Sequence, residues 1–297
     1  MRIARRITLA TALTLAIVCT PVVAQQDFSK VEVKATALSG STHLVTGAGG
    51  NIVASVGRDG AWIIDDQFAP LADRILAALK VIDDAPLRFV LNTHWHADHT
   101  GGNEAMGKAG ATVMAHHNVR SRMGTAGMFR GEQRAASPAA ALPVVTFGAD
   151  LDLHLNGDHV RARHVPRAHT DGDVLVKFEQ ANVLHMGDVY FNGLYPFIDL
   201  ESGGSIDGYI AAVRAGVAMS DDATVVVPGH GPVSNRAELA AYGDMLQRYR
   251  DAIAAMKRDG RSLDQVIAAK PTAATDEALG KAFIKPDQLV TAIYRSL

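Results

Sequence analysis

Between Leu91 and Asn103 the chain reads LNTHWHADHTGGN, which places His94, His96, Asp98 and His99 within six residues. Imidazoles and a carboxylate at that density are poor material for a packed core, because each buried polar group needs a partner. They are good material for chelation. On an extended segment, residues two apart point to the same side, so His94 and His96 can reach one ion. Asp98 and His99 follow where the chain turns and face a neighbouring point. The sequence Thr100-Gly101-Gly102 is expected to allow that tight turn without Cβ clashes. Three further donors stand in similar settings: His169 in RAHTDGD, Asp188 in LHMGDVY and His230 in VPGHGP. Each follows a strand-like run, where functional groups of α/β architectures gather on loops.

The elements that must hold these donors fall into two similar stretches. Residues 31–68 carry β-branched runs broken by Gly-Ala-Gly-Gly-Asn and Arg-Asp-Gly, which predicts a meander of strands and hairpins. The Gly47–Asn51 cluster lacks the spacing and lysine of a phosphate loop and reads as a hairpin turn. Residues 71–84 place Leu71, Ile75, Leu76, Leu79 and Ile82 at helical spacing. Residues 87–94 form a buried strand that runs into the histidine-rich stretch, followed by a short helix and another strand. Residues 118–142 mix helix and loop signals and read as a surface insertion. A second β-rich stretch covers residues 143–191. Helical signals return at 205–219, one more buried strand covers 223–231, and the chain from Arg236 is mostly helical. Strands then helices, twice over, suggest two halves stacked sheet to sheet with helices outside.

The start of the 297-residue chain has a different character. Arg2, Arg5 and Arg6 precede an apolar run from about Ile7 to Val18, then Pro21 and the small-residue pattern Val22-Val23-Ala24. This is the build of a secretory signal peptide cut after Ala24, leaving residues 25–297 as the folded domain. The apolar run is shorter than the ~20 residues a spanning helix needs, so no membrane span is expected after cleavage. Cleavage would remove Cys19, the only cysteine, and with it any disulfide or thiolate ligand. It would also leave 26 basic against 31 acidic residues, a net charge of −5. An acidic, exported protein, periplasmic or secreted, is a poor nucleic-acid binder. A small-molecule substrate is the expected partner.

The ordered set of donors resembles the metallo-β-lactamase-fold superfamily. The signature of that family is H-x-H-x-D-H followed by a lone His, a lone Asp and a lone His. An earlier Asp closes a strand in the same family, and Asp65 in WIIDDQF matches it. The resemblance spans residues 65–230 and implies a four-layer αβ/βα sandwich with its site at one edge of the sheets. It implies His94, His96 and His169 on a first metal, Asp98, His99 and His230 on a second, and Asp188 bridging both. Asp65 would orient a ligand rather than bind. Imidazole and carboxylate suit zinc, iron or manganese, and zinc is the usual choice for hydrolysis. Two Zn2+ ions per chain are expected, sharing a bridging hydroxide that attacks a carbonyl while Asp98 orients it and shuttles the proton.

Departures from particular relatives narrow the substrate. Flavodiiron oxidoreductases carry Glu where this chain has His96. Many β-lactamases carry Cys at the position of Asp188 and, three residues on, a Lys that grips the substrate carboxylate; Phe191 stands there here. Glyoxalase II relatives share the seven donors, but their thioester is cytosolic and the signal peptide argues against them. The sequence thus points to an exported zinc hydrolase opening a cyclic amide or ester, β-lactam-like or lactone-like. The competing readings are an iron-dependent sulfur dioxygenase of the same fold and a non-catalytic zinc-binding protein. Among the other histidines, His43, His154, His159 and His164 read as surface or packing residues and His185 as a core or supporting group. His116 or His117 could line the cleft. The aromatic run Tyr190–Phe197 and parts of residues 118–142 are expected to flank the metals.

Overall fold

The computed structural model describes residues 26–297; the expected signal segment lies outside them. Alternation of side chains along each strand dictates the layers. The first sheet is built from β1 (Lys34–Ala37), β2 (Thr42–Thr46), β3 (Ile52–Gly57), β4 (Gly60–Ile64), β5 (Leu87–Asn92) and β6 (Thr112–His116). A small hairpin of β7 (Gly127–Phe129) and β8 (Glu132–Arg134) interrupts the chain before β9 (Val145–Phe147) pairs with β6. The second sheet runs in order through β10 (Asp150–Leu155), β11 (Asp158–His164), β12 (Val174–Phe178), β13 (Val183–His185) and β14 (Val225–Val227).

In β4, Trp62 and Ile64 point inward and meet Val174, Val176 and Phe178 of β12, forming the core between the sheets. Trp62 stacks on Phe178 with ring centroids 5.1 Å apart. Their neighbours Ala61 and Ile63 point outward onto the first helix, α1 (Ala72–Ile82), at Ile75 and Leu79. The short α2 (Ala97–Thr100), α3 (Asn103–Lys108) and α4 (His117–Gly124) follow. On the other outer face, Leu175, Leu184 and Val226 pack under α5 (Ile206–Ala218) and α6 (Arg236–Arg258), then α7 (Leu263–Ala268), α8 (Ala273–Leu279) and α9 (Pro286–Ser296). Three apolar layers between four structural ones make the expected αβ/βα sandwich. Among the described residues no helix is long and apolar enough to cross a membrane.

Strand direction explains where the donors collect. β4 and β5 pair in parallel, as do β13 and β14. Parallel neighbours end at the same edge, so the loops after all four strands converge there. Asp65 follows β4, His94 follows β5, Asp188 follows β13 and His230 follows β14. The Gly47–Asn51 segment closes the β2–β3 hairpin as expected, with Val45 opposite Ile52.

Candidate metal centre

All seven sequence-predicted donors meet at that edge, in two groups. In the first, His94 Nε2 lies 3.1 Å and His169 Nε2 2.9 Å from His96 Nδ1. Asp188 Oδ2 stands 3.8 Å from His94 Nε2 and 3.6 Å from His169 Nε2. In the second group, His230 Nε2 is 3.3 Å from both His99 Nε2 and Asp98 Oδ2. The other oxygen of Asp188, Oδ1, faces this group at 3.1 Å from His99 Nε2 and 3.3 Å from His230 Nε2. One carboxylate therefore serves both groups.

The outward nitrogens decide which lone pairs point inward. His169 Nδ1 donates to the Phe197 carbonyl at 2.7 Å, and His96 Nε2 donates to Asp199 Oδ2 at 2.9 Å. His99 Nδ1 donates to Asp65 Oδ2 at 2.8 Å. The Thr93 hydroxyl gives its proton to the same Asp65 oxygen at 2.7 Å, so it accepts from His94 Nδ1 at 3.0 Å. With its outer nitrogen engaged as donor, each of these four rings, when it carries a single proton, turns a bare nitrogen toward the centre. Three lone pairs, those of His94 and His169 each about 3 Å from that of His96, repel unless a cation lies among them. Two nitrogens bonded at 2.0–2.1 Å to one tetrahedral zinc would stand roughly 3.3 Å apart, close to the spacings here. Asp188 Oδ1 is buried without a hydrogen-bond partner, which also suits a cation. The donor set fits a pair of divalent ions.

The two groups differ in charge. Burial, reinforced by the charge on His99, holds the His94 imidazole well below its usual range, and burial lowers His96 too. These rings stay neutral and ready to coordinate. In the second group burial again opposes protonation, but Asp188 and Asp98 outweigh it: they raise His99 well above its usual value and His230 to about 9. Burial alone would raise the Asp98 carboxyl, yet His99 and His230 hold it down to about 2. Without an ion, the second group is a cluster of imidazolium and carboxylate.

Local backbone explains the crowding. Asp65 and Gln67 adopt left-handed φ of 64° and 55°, a strained arrangement that aims Asp65 back under the histidines. The Ala97–Thr100 segment is a helical turn, its first amide bonds closing on the His96 carbonyl at 3.0 and 3.1 Å. Gly101 and Gly102 have ordinary helical φ of −65° and −77°, so the turn needs no left-handed backbone. It needs, as expected, the absence of a Cβ. A Cβ on Gly101 would lie 2.6 Å from the Ala97 carbonyl oxygen, and one on Gly102 2.8 Å from that of Asp66. Gly50 serves His99 likewise, because a Cβ there would sit 2.1 Å from the ring.

A cavity of about 280 Å³ opens over both groups. Phe191 stacks on His230 at 5.1 Å, while Phe197 lies 5.8 Å and Phe129 4.9 Å from His96. The run 190–197 thus contributes Phe191, Leu194 and Phe197 to the wall, whereas Tyr190 and Tyr195 turn into the core. Residues 118–142 contribute Phe129 from the β7–β8 hairpin. His116 and His117 do not line the cavity; His116 stacks on His164 at 3.7 Å and bonds the Gly148 carbonyl. His185 is a supporting group, linking Asn51 O at 2.9 Å to the Gly187 amide at 3.1 Å. A larger cavity of about 420 Å³ lies beside Trp95, but it holds none of the seven donors, and its Arg122 is already paired with Asp171 at 2.7 Å. Sequence reasoning missed Asp199, Thr93, Phe68 and Phe283. Only Thr93, next to His94, carried a local signal.

Comparison with known proteins agrees with this geometry. The family model for the metallo-beta-lactamase superfamily matches residues 35–230. A hydroxyacylglutathione hydrolase from Polaromonas sp. strain JS666 is 32% identical over 149 residues, 49% of each chain, so the match spans about half of that relative. A metallo-beta-lactamase from Pontibacter korlensis superposes with a TM-score of 0.61 at 21% identity, over 72% of this chain and 99% of that one. A sec-alkylsulfatase from Pseudomonas sp. superposes with a TM-score of 0.64 at 18% identity, over 89% and 50% respectively. The chain belongs to the metallo-beta-lactamase superfamily, a family that includes hydrolases.

Proposed function

We propose that the protein is an exported dinuclear zinc hydrolase acting on a cyclic amide or ester, β-lactam-like or lactone-like. The observation that carries this reading is the division of Asp188: Oδ2 serves the first donor group and Oδ1 the second, beneath the cavity. His94, His96 and His169 would hold one ion, Asp98, His99 and His230 the other. Bound there, a pair of divalent ions supplies Lewis acidity and a nucleophile drawn from water at neutral pH. The residues do the rest. Asp98 is the more open acid, with its side chain 25% exposed against 4% for Asp188. Held at about 2, it remains a carboxylate that can accept a hydrogen bond from attacking water and orient it toward the substrate. Asp65, Thr93 and Asp199 fix the ring orientations, so little reorganisation is needed as charge develops. The aromatic walls limit bulk water around the reacting carbonyl.

The basic-then-apolar start supports action outside the cytoplasm. The likeness to a hydroxyacylglutathione hydrolase brings thioesters into the range worth assaying. The test is a panel of chromogenic lactam, lactones, aryl esters and thioesters on zinc-loaded protein, with metal counted in the same samples. Two zinc ions per chain with lactone or lactam turnover would support the reading. One iron per chain as isolated, without hydrolysis of any member, would contradict it.

A further inference from the structure

The walls of the cavity carry information that the metal donors do not. Five of the nine phenylalanines in the chain line it: Phe68, Phe129, Phe191, Phe197 and Phe283, joined by Leu194. Among the described residues its only acidic lining groups are Asp98 and Asp188, both among the seven donors, and neither Lys nor Arg lines it. Phe283 lies between α8 and α9, outside the residues 35–230 matched by the family model. It stands edge-on to Phe197, centroids 5.9 Å apart at 88°, and Phe129 meets Phe197 at 6.2 Å and 72°. Arg130, at the tip of the β7–β8 hairpin, covers Phe283 at 4.6 Å and Phe197 at 5.7 Å. That hairpin tip is anchored by the Arg130 amide donating to Glu201 at 2.9 Å. Two distant segments thus close one aromatic wall.

We infer that Phe129, Phe197 and Phe283 select substrates whose acyl group is uncharged and apolar, aryl or alkyl, with Phe283 as the specificity residue supplied by the C-terminal region. This inference rests on the hydrolase reading above. Phe129 and Phe197, with rings 4.9 and 5.8 Å from His96, would border the group bonded to a carbonyl bound over the donors. Phe283 is 50% exposed, so it has apolar surface left for an acyl chain to cover. The one guanidinium near the wall, Arg130, lies over the rings of Phe283 and Phe197 and lines the neighbouring cavity instead, so an acyl group carrying its own carboxylate meets rings and not a cation inside this one and loses its hydration without return. Uncharged lactones and esters are therefore favoured over carboxylate-bearing lactams.

The test compares 4-phenylbutanoyl, acetyl and succinyl esters of one phenol on zinc-loaded wild type, Phe283→Ala and Phe129→Ala. Wild type should prefer phenylbutanoyl over acetyl, and disfavour succinyl, by about tenfold or more in kcat/KM. Each variant should lose most of the phenylbutanoyl preference, chiefly through KM, with its zinc content unchanged. A second readout needs no turnover: calorimetric binding of the product acids 4-phenylbutyrate and butyrate to the same proteins. The phenyl group should tighten binding about tenfold in wild type and much less in Phe283→Ala. Equal affinities for the two acids in wild type, or a phenyl advantage untouched in both variants, would overturn the inference. If the phenyl advantage holds but none of the three esters turns over, the hydrolase reading is weakened and the selectivity inference stands.

Discussion

Asp65 Oδ2 lies 2.8 Å from His99 Nδ1, with both side chains fully buried. Through the Thr93 hydroxyl the same oxygen also orients His94, so one carboxylate supports a ring in each donor group. Asp65→Asn keeps the volume and removes the charge. We predict that zinc affinity falls about 10–100-fold, the usual cost of losing a partner behind a metal ligand. Competition with a chromophoric chelator would measure it. Affinity within a factor of two of wild type would show that the ring needs no such anchor.

Asp199 is the counterpart behind His96. Burial would raise its carboxyl, but the hydrogen bond from His96 outweighs this and keeps it low. Asp199→Ala should therefore weaken the first site selectively, by about tenfold or more, with a smaller effect on the second. Stepwise zinc titration, following tightly and loosely held ions, distinguishes this from a general loss of folding.

The two sites should respond differently to pH. His99 is raised well above its usual value and His230 to about 9, so near neutral pH the ion-free second site holds protons on both rings that an incoming cation must displace. Affinity there should climb by up to about tenfold per pH unit per displaced proton from pH 6.5 toward 9, and less steeply above 9, where His230 no longer holds its proton. The first site, with His94 and His96 already held neutral, should show little of this slope. Calorimetry in buffers of differing ionisation enthalpy counts the protons. Equal proton release at both sites would refute the charge asymmetry.

Close backbone approach predicts a contrast between two glycines. A Cβ on Gly50 would overlap the His99 ring at 2.1 Å, whereas one on Gly127 would meet nothing within 4 Å. Gly50→Ala should cost about 1–3 kcal/mol of stability and disturb zinc binding, while Gly127→Ala should do neither. Thermal melts with and without zinc would separate the two.

The parts legible in the sequence were those with a strong local chemical signal. Seven donors stood out by residue type and by their places after strand-like runs; strand and helix periodicity suggested two halves stacked sheet to sheet, and the four-layer αβ/βα sandwich was what the family resemblance implied. Asp199 and Phe283 were not legible, because an isolated acid or aromatic in a loop says nothing about which distant loop it will meet. The glycines after His99 were legible too, as positions with no room for a Cβ. Their small size matters for packing against Ala97 and Asp66, while their φ angles are ordinary.

Asp188 decides the account. Its two oxygens face separate donor groups at 3.1–3.8 Å. A bridging carboxylate lowers the repulsion between two dications, and Asp188→Asn removes that charge with little change in shape. The measurement is zinc per chain after exhaustive dialysis, with hydrolysis assayed on the same samples. We predict a fall from two ions to one in Asp188→Asn, with hydrolysis lost alongside. Retention of two tightly bound ions and full activity would contradict the bridge.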